Sequence, residues 1–145
     1  MQVDEILVWR AWLVIHQTEF DRFDYNVRLG AGVDPGPTVP EPYRTMAIQI
    51  RQKRVDAVGY TAGSPTLFEV KRRAGPENLG QLLVYARLWP QQFPASPPPA
   101  LVLVASDADP HTTDTLAAYN VRLDLVPTVN FSVLAPGRII PPPQV

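Results

Sequence analysis

The chain contains no cysteine. That excludes disulfides, thiolate metal sites and a cysteine nucleophile, and it fits a reducing compartment. No apolar run approaches the roughly 20 residues that span a bilayer. The N-terminus has no basic start, apolar middle and small-residue cleavage site in series, so no signal peptide is read there. These absences lead to the expectation of a soluble, cytoplasmic protein with no membrane partner. Charge of one sign is also missing: the net charge is -1, which by itself argues against a generic nucleic-acid binder. Lysine is scarce, with two lysines against eleven arginines. Guanidinium forks suit phosphate, although a GC-rich genome gives the same bias.

What is present is enough for one domain. The 145 residues are 46% hydrophobic and 19% charged, so a core can form and global disorder is not expected. The charge is unevenly spread. Between Arg44 and Arg87 there are eight Lys or Arg against three acids, Asp56, Glu69 and Glu77. The middle third is therefore basic around a small acidic group.

Helical spacing predicts a first helix over Val3–Gln17. Alternation predicts a strand over Phe23–Leu29, with Phe23, Tyr25, Val27 and Leu29 on one side. A Gly/Pro-rich loop covers 30–42. Met46–Ile50 alternates again and reads as a further strand. Val55–Tyr60 and Thr66–Arg72 read as strands joined by a "TAGSP" turn. A helix over Glu77–Trp89 opens after Gly75-Pro76, and Pro90 is expected to end it. The unbroken apolar run Ala100–Ala105 predicts a strand buried on both faces. A short helix over Pro110–Tyr119, capped by Asp109, and a last strand over Val121–Val126 complete the domain at 1–126. Residues 127–145 hold five of the seventeen prolines and read as a proline-rich tail. The order implies an α/β fold, a mixed β-sheet flanked by helices.

The stretch "RVDAVGYTAGSPTLFEVKRR" carries the chemistry. Strand alternation puts Leu67, Glu69 and Lys71 on one face. Antiparallel pairing of the two strands would bring Asp56 beside Glu69 or Lys71, in a register the sequence does not specify. A solvated strand edge with a cross-strand ion pair is the plain alternative. Against it, the neighbours Val55, Ala57, Val58, Phe68 and Val70 are apolar. On the following helix, Gln81 and Tyr85 are four residues apart and share one side.

Asp56, then "EVK" at 69–71, then "QLLVY" at 81–85 together resemble the PD-(D/E)XK nuclease superfamily. The last motif is similar to that of its RecB-like and phage-exonuclease-like branch. The resemblance spans about Val3–Val126, and Val55 stands where the family name has proline. It implies a restriction-endonuclease-like αβββαβ core and Mg²⁺- or Mn²⁺-dependent hydrolysis of DNA phosphodiester bonds. Asp56 and Glu69 would hold the ion with the Val70 carbonyl and waters. Lys71 would act on the attacking water or the transition-state charge. Gln81 and Tyr85 would position the strand, and Arg54, Arg72, Arg73 and Arg87 would contact phosphates. The family often adds a residue from the first helix region. Glu5, His16 and Glu19 are the candidates, with Glu5 favoured and a plain surface role open for each.

Two rival readings remain. One is a binding or assembly module of this fold that does no catalysis, as in a phage or mobile element. The other is a structural protein with an unrelated mixed sheet. The implied partner is DNA, within a homo-oligomer or a larger phage or repair assembly.

Overall fold

The structure is a computed structural model, and it describes residues 1–126; the expected tail at 127–145 lies outside the described residues. The elements in chain order are α1 (Val3–His16), a 3-10 turn (Gln17–Glu19), β1 (Arg22–Leu29), α2 (Tyr43–Arg51), β2 (Lys53–Thr61) and β3 (Ser64–Ala74). Then come α3 (Pro76–Gln92), β4 (Ala100–Ala108), α4 (Pro110–Ala118) and β5 (Val121–Leu125). The five strands form one sheet in the order β1-β2-β3-β4-β5. β1, β2 and β3 pair antiparallel, whereas β3–β4 and β4–β5 are parallel. The fold is α/β, a mixed sheet flanked by helices. No helix among the described residues is long and apolar enough to cross a membrane.

Two cores lie on the two faces of the sheet. One is built from Leu67, Leu101, Leu103, Leu79, Leu82, Trp89 and Leu116, which joins α3 and α4 to the sheet. The other packs Val8, Trp9, Trp12 and Leu13 of α1 against Phe68, Val70, Val102 and Val104. β4 contributes to both, as its unbroken apolar run requires. Trp9 and Trp12 stack at 4.8 Å between centroids and meet Phe68 edge-on. Their indole N–H groups donate to Tyr25 and Asp124, which satisfies the polar ends of large buried rings.

Three expectations are corrected. Met46–Ile50 is not a strand but part of α2. Five residues of alternation are too few to separate the two periods, and Tyr43, Met46 and Ile50 equally make a helical stripe, here exposed. Pro90 does not end α3, which continues to Gln92. A proline so near the C-terminus removes one backbone bond of the last turn, and the Phe93 amide still closes on the Trp89 carbonyl at 2.8 Å. Finally, β1 does not keep its apolar side chains on one side. Phe23 and Tyr25 face α1, while Val27 and Leu29 join the α3 core. Asn26, at φ 55, turns the strand over between them. β2 does the same opposite, with Val55 in one core and Ala57 in the other. The residue between those two is Asp56.

Candidate active site

The β2–β3 ladder runs from Thr61↔Ser64 to Ala57↔Phe68 and stops there. Beyond it, β3 continues with β4 alone as far as Ala74↔Ala108. An amide on that freed edge of β3 needs an acceptor, and Asp56 supplies one: Val70 N–H donates to Asp56 Oδ2 at 3.0 Å. Amide and carbonyl of one strand residue project to the same edge, so the Val70 carbonyl also lies on the freed edge of β3. The other Asp56 oxygen lies 3.3 Å from the amino group of Met1.

Glu69 is 2% exposed. Its Oε2 accepts from the Tyr85 hydroxyl at 3.2 Å, and its Oε1 is 3.3 Å from Lys71 Nζ. Burial, then the nearby Asp56 charge, push the Glu69 carboxyl up to about 7 against the pull of Lys71. The Tyr85 hydroxyl also lies 3.1 Å from the Arg54 carbonyl, so α3 is pinned to both β2 and β3. Burial and the Glu69 charge raise the Tyr85 pKa, so this group stays a neutral donor. Lys71 donates to Glu5 Oε1 at 2.7 Å. Burial works against its charge, but the Glu5 bond and the charges of Glu69, Glu5 and Asp56 outweigh it and raise its pKa. At neutral pH, with no ion in the cleft, Lys71 is therefore an ammonium.

These groups line one cleft of about 340 Å³. Asp56, Glu69, Lys71, Gln81, Tyr85, Glu5 and Arg54 all reach it. The other anticipated residues do not line it, the fully buried Val70 among them. Arg73 pairs with Asp107, and Arg72 and Arg87 are exposed elsewhere. His16 and Glu19 pair with each other at 3.1 Å, at the far end of α1. Glu5 is brought in because it lies in the first turn of α1. There its Oε2 also accepts the Gln2 amide at 2.5 Å.

Sequence reasoning missed five contributors, of which Met1 and Gln2 line the cleft from the start of α1. Gln52 and Lys53 line the cleft; Lys53, beside Arg54, was visible as one of only two lysines. Asn78 is 1% exposed and bonds to Gln81. Its signal was its place three residues after Gly75 and three before Gln81.

Among the described residues, no group of three or more acidic or histidine side chains is gathered to hold a metal. The convergent pair is Asp56 with Glu69. Magnesium is usually held by one or two carboxylates, with waters and substrate phosphates completing its shell. A carboxylate whose pKa is raised by burial and by its neighbour's charge is the electrostatic setting that a divalent cation relieves. The donor set therefore fits such an ion.

No protein-family model matches the chain, and no curated protein matches it. A crystal structure of a protein of unknown function is similar at a TM-score of 0.42 and 9% identity. The match covers 81% of this chain and 56% of the other.

Proposed function

We propose that this protein is a Mg²⁺- or Mn²⁺-dependent nuclease that hydrolyses DNA phosphodiester bonds. The observation that carries the reading is convergence. Asp56, Glu69 and Lys71, from two strands that part at that point, share a cleft with Gln81 and Tyr85 of α3. The resemblance to the PD-(D/E)XK superfamily rests on these five residues.

Asp56 and Glu69, with the Val70 carbonyl, would hold the ion. When bound, a divalent cation supplies Lewis acidity toward a phosphoryl oxygen and makes water acidic enough to attack at neutral pH. The chain's own groups do the rest. Lys71, kept charged by Glu5 and Glu69, neutralises negative charge as it develops on the phosphorus oxygens. Tyr85 holds the Glu69 carboxylate in place through its hydroxyl. Lys53 and Arg54 on the lip attract the phosphate backbone without reading bases. Glu5 anchors the Lys71 ammonium at the cleft.

One observation favours the rival reading, a binding or assembly module. The Lys71 ammonium already bridges Glu5 and Glu69, so the acidic groups are partly neutralised without an ion. Incubating the purified protein with linear, circular, single- and double-stranded DNA separates the two. Cleavage with Mg²⁺ or Mn²⁺ that stops in EDTA supports the nuclease. Binding without cleavage on every substrate supports the module.

A further inference from the structure

The orientation of one amide in the cleft follows from a single backbone group. Gly75 precedes α3, and its N–H is an obligate donor. The atom of Asn78 that faces it at 2.9 Å is therefore the carbonyl oxygen Oδ1. Asn78 is 1% exposed, so its other end cannot turn to bulk water. That end is Nδ2, a donor only, and it lies 3.0 Å from Gln81. The Gln81 atom it meets must be the acceptor Oε1. Gln81 Nε2 is thereby turned away from Asn78, and among the described residues no partner takes its two hydrogens. Gln81 lines the cleft with the donors Lys53, Arg54 and Lys71 and with the carboxylates of Glu5, Asp56 and Glu69, so a phosphate can be seated only where donors outnumber acceptors.

We infer that Asn78 is a positioning residue: it fixes the Gln81 amide so that its N–H groups face the cleft, making that corner a seat for a phosphate oxygen. An unrestrained glutamine could present either end and would accept as readily as donate. Here the Gly75 amide removes that choice through two hydrogen bonds in series. The phosphate oxygen rests on the nuclease reading; the amide orientation does not.

Asn78→Asp tests this, with two contacts that offset part of the cost of a buried carboxylate. Aspartate still accepts the Gly75 N–H, and an acid in the first turn suits the helix dipole. It cannot donate to Gln81 Oε1, so Gln81 turns its Nε2 toward the new carboxylate and its oxygen toward the cleft. The first readout is the Gln81 side-chain amide signal in ¹⁵N NMR of the ligand-free protein. It should shift strongly in Asn78→Asp while the backbone spectrum shows the fold retained, at a lowered melting temperature. An unchanged Gln81 signal overturns the positioning role.

The second readout is binding of a short oligothymidylate in EDTA. Asn78→Asp and Gln81→Ala should each weaken it about tenfold, the scale of one hydrogen bond to a charged acceptor. Because the new carboxylate also repels phosphate, the double variant decides the cause. Positioning requires that Asn78→Asp add little on the Gln81→Ala background, whereas plain repulsion adds its full penalty there and overturns the phosphate seat. Wild-type protein that binds no oligothymidylate in EDTA overturns the phosphate seat, whereas the nuclease reading falls only if cleavage with Mg²⁺ or Mn²⁺ also fails. The NMR result then still decides the orientation.

Discussion

The Asp56 carboxylate accepts the Val70 amide at 3.0 Å, taking the place a β2 backbone carbonyl would have in an unbroken ladder. One side chain thus does two jobs. It lets β2 and β3 part, and it leaves a buried charge beside Glu69 at the opening.

That relationship sets the response to substitution at Asp56. Like-charge repulsion alone would make its removal stabilising. Asp56→Ala also orphans the buried Val70 N–H, which costs about 1–3 kcal/mol, so the expected outcome is net destabilisation with loss of Mn²⁺ binding and cleavage. Asp56→Asn keeps an acceptor and removes the charge, so it should match or exceed wild-type stability while losing the same functions. Urea denaturation and calorimetric Mn²⁺ titration of both variants check this. Asparagine as costly as alanine would refute the assigned hydrogen bond.

Glu69 predicts a pH dependence. Its carboxyl holds a proton up to about 7 in the folded chain, against an ordinary 4.5. Between those values the folded state binds more protons than the unfolded, so this group's effect is to lower stability as pH rises through the window. Above pH 7 the penalty is full, roughly 3 kcal/mol at most at ~1.4 kcal/mol per unit. Metal-free Glu69→Gln should lack this slope and melt higher than wild type at pH 8. Metal affinity runs the other way: Mn²⁺ binding by wild type should weaken as pH falls below 7, because proton and ion compete for Glu69.

Lys71→Ala should reduce cleavage by at least about 100-fold, the scale of removing one preorganised charge from a transition state. Metal binding should persist, since the carboxylates remain. The loss also frees Glu5 and removes the cation that restrains Glu69, so the Glu69 pKa should move higher still. Single-turnover cleavage, with Mn²⁺ titration at two pH values, reads both effects. Wild-type rates in this variant would defeat the mechanism.

Tyr85→Phe removes a hydroxyl shared between Glu69 Oε2 and the Arg54 carbonyl. Stability should fall by about 0.5–1.5 kcal/mol. The Glu69 carboxyl should shift further up, because the Tyr85 bond is one of the influences holding it down. A pH profile of cleavage displaced to higher pH is the expected signature; a drop in rate at unchanged profile would mean Tyr85 acts on substrate instead.

The sequence determined the element order wherever a pattern was long or punctuated. The α1 periodicity, the Gly75-Pro76 opening of α3, the Asp109 cap and the apolar run of β4 are local signals, and each survives in the structure. Met46–Ile50 failed because its five residues fit both periods, and α2 buries none of its residues, so no core-facing pattern marks the helix in the sequence. Local chemistry also singled out Asp56, Glu69, Lys71, Gln81 and Tyr85 as a group. Which of them could meet was decided by tertiary structure. The face switch at Asn26 and Asp56 and the parting of β2 from β3 depend on how two strands twist against two cores, and no single segment encodes that. The same holds for choosing Glu5 over His16 and Glu19. Their distances from Lys71 depend on where α1 crosses the sheet, a long-range contact set by the Trp9, Trp12 and Phe68 packing rather than by any spacing along the chain.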